Sequence, residues 1–338
     1  MRLTMPFAHR LGLGRDHLLC AQDLSRELLE SRGEAHGTQT AQQLTEALAL
    51  LDPDTERSYN LWLVSHLGPD EEALSASASA WLDQPNAEHA AKLAHRAEPR
   101  RQELLRRLNA APGGTRHLVD WRARLLKDLG DFPQLAPLAT DLKHLLASWF
   151  NRGFLTLEAI TWDSPARLLE SLIEHEAVHS IASWDDLRGR LEGDRRCYGF
   201  FHPALPGAPL IFVEVALTDR ISDAIAPLLD HPANRPTPAR PSTAIFYSIS
   251  NCEPGLRGLS FGNFLIKQIA ANLKLEYPSL STFATLSPVP GFRRWLDAGG
   301  RDLGSWPEES ERLCALYLCG VKPDGSQGRP SDPVAAFH

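Results

Sequence analysis

Residues 244–250 read AIFYSIS, residues 254–263 read PGLRGLSFGN, residues 264–278 read FLIKQIAANLKLEYP, and residues 284–295 read ATLSPVPGFRRW. The first run is rich in β-branched and aromatic residues, which predicts a buried strand. The glycines predict a tight loop, and the apolar spacing after them predicts an amphipathic helix. A strand that opens through glycines into a helix N-terminus can hold a pyrophosphate, because unpaired N–H groups and the helix dipole favour an anion there. We therefore expect a phosphate-bearing ligand at this loop.

The bulk composition limits the class of protein. A chain of 338 residues is long for one hydrophobic core, so two domains are expected. A net charge of −7 argues against a non-specific nucleic-acid binder, which needs a basic surface. No apolar run reaches the ~20 residues that a membrane span requires. Neither nucleic acid nor a membrane is therefore an expected partner.

The cysteines are scattered and form no CxxC pair, which indicates free thiols in a reducing compartment. The predicted location is the cytoplasm. Arginines without acids in the first fifteen residues leave a short targeting peptide as the alternative. The cysteines are Cys20, Cys197, Cys252, Cys314 and Cys319.

The pattern of predicted secondary structure changes near residue 148. Residues 1–148 show one helical period after another, whereas residues 149–338 alternate short β-rich runs with helical runs. The predicted fold class is therefore α+β: an all-α N-terminal domain, then a domain with a sheet that begins antiparallel and continues as strand, glycine loop, helix and strand. Asp54, and Ser164 with Pro165 after it, are the predicted N-caps of two helices.

The sequence HEAVH at residues 175–179 spells the HExxH zinc pattern. On one helix, His175 and His179 would share a face and Glu176 could act as a base. A third ligand at the expected spacing is missing, and the helix is predicted to end near His179. We predict no metal here, and a packed or supporting histidine at position 179.

Ser287 lies in a proline-bounded turn after the strand-like FATL. Serines in such turns are usually turn formers, and the absence of a G-x-S-x-G elbow argues against a hydrolase triad. The loop RGLSFG at residues 257–262 follows the R/Q-x-x-G-x-G/A pattern of acyl-CoA-binding, acetyltransferase-like folds, with Ser260 in place of the first pattern glycine. Glycines at such turns can also serve packing. Lys267, one turn further on, is either a phosphate partner or an ordinary exposed lysine, and the second is favoured.

Longer segments resemble the malonyl-CoA decarboxylase family. They include HLLASWFNRGFL, EAVHSIASWDDLRGRL, RRCYGFFHPALPGAPLIFVEVAL, GLRGLSFGNFLIKQ, LSPVPGFRRWL and DPVAAFH, and they extend from about residue 30 to the C-terminus. The resemblance implies a helical oligomerisation domain over 1–148 and a catalytic domain like the GCN5-related acetyltransferases over 149–338. It also implies a homotetramer that turns malonyl-CoA into acetyl-CoA and CO2 in fatty acid metabolism, without biotin, metal or pyridoxal phosphate. CoA is part of the substrate, and no separate cofactor is expected.

The resemblance also assigns site residues. The catalytic serine of the family matches Ser287, and its catalytic histidine matches His338, the last residue of the chain. The family pattern continues past that histidine, which implies a C-terminal truncation of this chain relative to the family. The CoA loop of the family matches Arg257, Gly258, Leu259, Ser260, Phe261, Gly262 and Asn263.

Two other functions stay open at this stage. A CoA-dependent acyltransferase would use the same cleft, because a fold alone does not fix a reaction. A truncated CoA-binding or oligomerising homologue would bind CoA without turnover. Release of CO2 and acetyl-CoA without an acceptor amine separates the decarboxylase from both.

Overall fold

The computed structural model describes residues 14–230, 238–259, 262–299 and 308–320, together with residues 328, 332, 334 and 335. The chain divides into two compact units. The first unit ends at Phe154 and also takes in Pro203–Leu205 and Glu253–Leu259. The predicted domain boundary between residues 148 and 149 stays a prediction. A compact unit can contain segments that are distant in sequence, as the first unit does, so this division does not test a boundary along the chain.

The first unit is helical, as predicted. Large apolar side chains from several helices form one buried cluster, which includes Leu28, Leu44, Leu104 and Trp121. This burial stabilises helices whose own propensity is modest. The helices are α1 (Gly14–Glu30), α2 (Glu34–Ala49), α3 (Pro53–His66), α4 (Glu71–Asp83), α5 (Ala87–Ala97), α6 (Arg100–Ala110), α7 (Gly114–Asp128) and α8 (Ala136–Trp149).

Both predicted N-caps are displaced in the structure. Asp52, not Asp54, caps α3: its carboxylate accepts from the backbone N–H groups of Asp54 and Thr55 at 3.1 and 3.0 Å. The reason is Pro53, which occupies the first helical position and pushes the cap one residue upstream of it. Ser164 is also no cap, because its hydroxyl accepts from the N–H of Thr161 and the next helix begins only after Pro165.

The second unit is built on a five-stranded sheet in the order β1-β2-β3-β4-β5. The first three pairings are antiparallel, and β4 and β5 are parallel. This mixed sheet confirms the predicted α+β class. The elements are β1 (Thr156–Ile160), α9 (Ala166–His175), α10 (Trp184–Leu191), β2 (Arg195–Phe201), β3 (Ile211–Thr218), α11 (Ala226–Leu229), β4 (Thr243–Asn251), α12 (Gly262–Glu276), β5 (Thr282–Thr285), α13 (Phe292–Ala298) and α14 (Glu308–Leu318).

Two details of strand β4 matter for function. The first is a register shift: Glu214 of β3 faces Ser248, while Val215 faces Phe246, so Tyr247 is the extra residue of a β-bulge. The second is that the parallel pairing with β5 ends at Phe246. Among the described strands, residues 247–251 therefore pair only with β3.

We expect Asp52→Ala to lower the denaturant midpoint of unfolding more than Asp54→Ala does. The first change leaves two N–H groups of α3 without their carboxylate acceptor. The second removes only an exposed pair between Asp54 and Arg57. Urea titrations of both variants, followed by circular dichroism, measure the difference. Equal midpoints would refute the reassigned cap.

Candidate functional site

The segment Glu253–Leu259 is fixed within the first unit against helix α7. A Cβ placed on Gly255 would lie 1.9 Å from the carbonyl oxygen of Val119, so only glycine allows this approach. The guanidinium of Arg122 donates to the carbonyl oxygens of Gly255 and Arg257, the latter at 3.0 Å. The loop backbone is therefore held by helix α7 before any ligand arrives.

A bidentate ion pair adds to this anchoring. Arg116 donates to the two carboxylate oxygens of Glu253 at 2.7 and 2.6 Å. The hydrogen bond with Glu253 raises the pKa of Arg116 above its ordinary value, against the opposing effect of burial. Glu253 itself is buried, at 5% exposure. A bidentate ion pair of this geometry constrains the relative orientation of the two side chains and also strengthens their interaction.

The predicted loop residues of the first unit present positive charge. Gly258 has φ +79°, a conformation that favours glycine. The ammonium of Lys143, on α8, lies 3.8 Å from the position of a Cβ on that glycine. Arg257 and Lys143 are exposed, and neither has an acidic partner among the described residues, whereas Leu259 is half-buried. Such a pair of free cations suits an anionic ligand.

The remaining loop residues open helix α12 in the second unit. Gly262 and Asn263 are the first residues of that helix, and the description does not extend to their side chains. Ser260 and Phe261 lie outside the described residues. Leu265, Ile269 and Leu273 are buried, and Lys267 is exposed. The predicted sequence of strand, loop, helix and strand is confirmed.

Ser287 follows β5 in the second unit, with Leu286 between the strand and the serine. The N–H of Leu286 donates to the carbonyl oxygen of Phe246 at 2.9 Å, which continues the parallel ladder to the residue before the serine. Ser287 is half-buried. It therefore sits at the carboxyl end of a strand, where α/β folds commonly place ligands. His338, its proposed partner, lies outside the described residues.

Asp332 is a buried carboxylate, bonded to the turn after Ser287, that the sequence reasoning missed. Its side chain is fully buried, and one carboxylate oxygen accepts from the Tyr317 hydroxyl at 2.9 Å and from the N–H of Gly291 at 3.3 Å. The other accepts from the N–H groups of Val334 and Ala335 at 2.9 and 3.2 Å. Burial alone would raise the pKa of Asp332, but these hydrogen bonds outweigh it and hold the pKa below its usual value. The Asp-Pro pair in DPVAAFH is the signal of a side-chain-bonded turn that could have indicated it.

The HExxH residues do not share a helix face. Helix α9 ends at His175, and Glu176 turns its carboxylate inward. That carboxylate accepts from the hydroxyls of Ser248 and Ser250 at 2.7 and 3.0 Å, and from the N–H groups of Val178 and His179. In the described part of the chain no group of three His, Cys, Asp or Glu residues could hold a metal ion. The helical expectation up to residue 179 is therefore wrong, and the absence of a metal stays a prediction.

His179 is half-buried beside strand β4. Its ring lies 6.5 Å from that of Tyr247, measured between centroids. Burial lowers the pKa of His179, and the nearby Glu176 opposes that effect only in part. Packing against Tyr247 agrees with the supporting role that the sequence suggested.

A second buried carboxylate, Glu214, lies on strand β3 at 1% exposure. Arg190 donates to it at 3.2 Å and also to the carbonyl oxygens of His179 and Ser180. Burial is the main cause that raises the pKa of Glu214 to about 8; Arg190 opposes it, and Glu176 adds to it. Periodicity gave no sign of these charges, because Glu214 sits inside the apolar run IFVEVAL.

No helix among the described residues is both long and apolar enough to cross a bilayer.

Comparison with known proteins gives consistent results. The family model for the malonyl-CoA decarboxylase N-terminal domain matches residues 67–150, and that for the C-terminal domain matches residues 153–310. Mitochondrial malonyl-CoA decarboxylase of Anser anser anser is 41% identical over 292 residues, covering 71% of this chain and 57% of that protein. The Rattus norvegicus protein of the same name is 34% identical over 299 residues, covering 73% of this chain and 60% of that protein.

A solved structure extends the likeness to the fold. The crystal structure of malonyl-CoA decarboxylase from Rhodopseudomonas palustris superposes with a TM-score of 0.83 at 44% identity, covering 95% of this chain and 85% of that one. The present chain spans about three fifths of the length of the goose and rat relatives.

We expect Glu214→Gln to gain stability over the wild type as the pH rises. The folded-state pKa of about 8 lies above the ordinary value of 4.5. The contribution of Glu214 to the stability of the wild type is therefore fully present below the ordinary pKa, and it is lost as the pH rises towards the folded-state pKa. The difference in the free energy of unfolding should shift towards the variant by on the order of 1 kcal/mol per pH unit in that window, then level off.

Urea unfolding at a series of pH values between 4.5 and 9 measures this shift. Glu158→Gln, which changes an exposed residue of β1, is the matched control and should follow the wild type. If the curves of Glu214→Gln and the wild type stay parallel, the buried acid does not titrate in this window.

Proposed function

The chain belongs to the malonyl-CoA decarboxylase family, and on that premise we propose that it converts malonyl-CoA into acetyl-CoA and CO2. The observation that carries the proposal is that the helical part and the sheet-containing part each match the corresponding family domain. Because the chain spans only part of the length of its goose and rat relatives, the activity of this polypeptide needs its own measurement.

The reaction sets clear chemical requirements. The bond between the α-carbon and the malonyl carboxylate breaks, its electron pair moves onto the thioester as an enolate, and CO2 leaves. A proton is then delivered to the α-carbon, which gives acetyl-CoA. The protein must donate hydrogen bonds to the thioester oxygen as negative charge grows there. It must also hold the carboxylate where solvation does not stabilise it.

The anchored loop supports the binding of CoA phosphates. Arg257 and Lys143 offer exposed cations without acidic partners in the described residues. Because Arg122 already fixes the carbonyl groups of this loop, little conformational entropy remains to be lost on binding. The free energy gained by binding the CoA phosphates, far from the reacting carbon, can hold the malonyl end of the substrate in place.

The open half of strand β4 supports the binding of the pantetheine arm. Residues 247–251 continue beyond the pairing with β5. An extended chain with amide groups, as in pantetheine, can form strand-like hydrogen bonds along such an edge. We propose that the arm lies there and directs the thioester towards the carboxyl end of β5, where Ser287 is found.

Ser287 and His338 are the proposed catalytic pair. The serine hydroxyl can donate to the thioester oxygen or to the malonyl carboxylate. An imidazole can give its proton to the α-carbon near neutral pH. No metal, biotin or pyridoxal phosphate enters this scheme, and no separate cofactor is proposed.

We propose a homotetramer that forms through the helical part, a cytoplasmic location and a role in fatty acid metabolism. The five cysteines are all thiols outside disulfide bonds, which supports a reducing compartment. Mass photometry tests the tetramer, and imaging of the tagged chain tests the location. A monomer, or accumulation in another compartment such as mitochondria, would contradict these two proposals.

The activity itself is tested by incubating the purified chain with malonyl-CoA and no acceptor. The expected result is equimolar CO2 and acetyl-CoA. Turnover that depends on an added amine would identify an acyltransferase instead. Tight CoA binding without turnover would identify an inactive CoA-binding homologue. The malonyl-CoA decarboxylase of Rattus norvegicus should be assayed beside it as a positive control.

We expect Ser287→Ala and His338→Ala each to lower kcat by about 100-fold or more, because each removes a group that acts on developing charge. The Kd for CoA should change little, since the binding groups lie elsewhere on the chain. Steady-state kinetics and calorimetric titration with CoA measure the two effects. Equal losses in kcat and in CoA affinity would refute the assigned roles.

We expect Arg257→Ala and Lys143→Ala each to raise KM for malonyl-CoA by roughly tenfold, as the loss of one charged hydrogen bond does. Their kcat at saturation should stay close to that of the wild type. The wild-type KM should rise with salt concentration, and less steeply in either variant, because screening acts on these contacts. Lys127→Ala, an exposed lysine at the end of α7, is the control and should leave KM unchanged.

A further inference from the structure

We propose that Glu176 is a positioning residue for the substrate: its buried carboxylate holds the open half of strand β4, residues 247–251, in the conformation that receives the pantetheine arm. The inference rests on the proposed function, because that function assigns the open half of β4 to the arm. The hydrogen bonds on which it stands all lie within the second unit.

The open half of β4 has one neighbour in the sheet, whereas the rest of the strand has two. Residues 243–246 lie between β3 and β5. From residue 247 onwards no described strand lies on the second side, and the bulge at Tyr247 interrupts the pairing with β3. A strand that is paired on one side only opens more easily than a central strand. An edge that receives a ligand in a fixed geometry therefore needs support from another direction.

Glu176 gives this support from the face of the sheet that α9 and α10 cover. The hydroxyl of Ser248 donates to both carboxylate oxygens, at 2.7 and 2.8 Å, and the hydroxyl of Ser250 donates to one of them at 3.0 Å. The N–H of Ala177 also donates to the Ser250 hydroxyl oxygen, at 3.2 Å. Side chains two residues apart in a strand point to the same face. One carboxylate thus holds the open half at two successive positions.

The segment that carries Glu176 is itself fixed. The N–H groups of residues 178 and 179 donate to its carboxylate at 2.9 and 2.8 Å. Arg190 of α10 donates to the carbonyl oxygens of residues 179 and 180 at 2.8 and 3.1 Å, and to Glu214 of β3 at 3.2 Å. The position of the Glu176 carboxylate is therefore determined by α10 and β3 before a ligand binds.

The chemistry of the contact favours fixed geometry over maximum stability. Burying a carboxylate has a desolvation cost, and apolar side chains of similar volume often stabilise a fold as well or better. Apolar contacts, however, are not directional, whereas hydrogen bonds from two hydroxyls to one carboxylate fix the strand in position and orientation. A ligand that forms strand-like hydrogen bonds gains affinity when the receiving edge is already ordered.

The opposite face of the open half is less covered. Ile249, which lies between the two serines, is half-buried and Asn251 is exposed, whereas Ser248 and Ser250 are buried. A ligand at the free edge can therefore also contact this face, while Glu176 holds the strand from the other side.

The first experiment compares CoA with adenosine 3′,5′-bisphosphate, which has the nucleotide but lacks the pantetheine arm. Glu176→Ala should raise the Kd for CoA by about tenfold, because only a fraction of the molecules then has the open half ordered. The Kd for the bisphosphate should hardly change, since Glu176 is not among the groups proposed to bind phosphates. Calorimetric titration measures both constants. An unchanged Kd for CoA, or equal losses for the two ligands, would overturn the proposal.

Variants of the strand test whether Glu176 acts through β4. The double variant Ser248→Ala/Ser250→Ala should raise the Kd for CoA by a similar factor. Adding Glu176→Ala to it should change the Kd little further, because residues that act through one contact are not additive. Full additivity of the two effects would contradict the assigned role.

Two further variants separate this role from general destabilisation. Glu176→Gln should recover much of the affinity for CoA, because the amide oxygen can accept from residues 178 and 179 and the amide NH2 can donate to the serine hydroxyls. Arg195→Met is the matched control. It breaks buried hydrogen bonds to the Leu228 carbonyl oxygen, at the register where β4 is paired on both sides, and should keep the wild-type Kd for CoA. A loss as large as that of Glu176→Ala would show that destabilisation alone explains the effect.

Hydrogen exchange gives a readout that needs no turnover. In Glu176→Ala the amides of residues 248–251 should exchange faster than in the wild type, while those of residues 243–246 stay protected. Unchanged exchange would overturn the support of the strand by Glu176. If the wild type decarboxylates malonyl-CoA and Glu176→Ala keeps the wild-type Kd for CoA, the positioning role is refuted while the proposed function stands. If the wild type binds CoA without releasing CO2, and the variants behave as expected, the decarboxylase proposal fails and the role of Glu176 in binding stands.

Discussion

Two neighbouring strands that run in the same direction cannot be joined by a tight turn, and β4 and β5 are such a pair. The chain must therefore leave the end of β4, cross back as a helix, and return. That crossover places the glycine loop after β4, begins α12 immediately afterwards, and makes β5 end at the same edge of the sheet as β4. Ser287 comes next. The position of the proposed chemistry thus depends on the parallel direction of these two strands.

The sequence predicted this arrangement well because the features that encode it are local. β-Branched runs, glycine clusters and a helical period all act within a few residues of one another, so α12, β4 and β5 could be identified. The cap of α3 was misplaced by two residues because the position of Pro53, rather than the next acidic residue, decides where that helix begins. The wrong end of α9 has a longer-range cause: Glu176 bonds to serines of β4 that lie more than seventy residues away.

Contacts at long range also explain which buried carboxylates the sequence did not reveal. Asp332 is an ordinary turn former until Gly291 and Tyr317 are placed around it. Glu214 lies in a strand that periodicity describes as apolar, yet it shares its face of the sheet with Ser248 and faces Arg190 of α10. Burying two carboxylates, Glu176 and Glu214, with one arginine has a desolvation cost that only a full set of hydrogen bonds can offset. The packing of α9 and α10 on the sheet therefore depends strongly on the hydrogen-bond geometry of Glu176, Glu214 and Arg190.

The anchoring of the loop Glu253–Leu259 has a consequence for how the chain is made. Arg122 bonds to a carbonyl group that lies 133 residues further along, and Arg116 bonds to a carboxylate 137 residues further along. At ribosomal rates of 5–20 residues per second, helix α7 precedes its partners by roughly ten seconds. The helical unit, although encoded first, is completed only after most of the sheet has been synthesised. Cotranslational folding of the amino-terminal half therefore yields an intermediate in which Arg116 and Arg122 are still in solvent. Their contacts form only after the later segments of the chain have been synthesised.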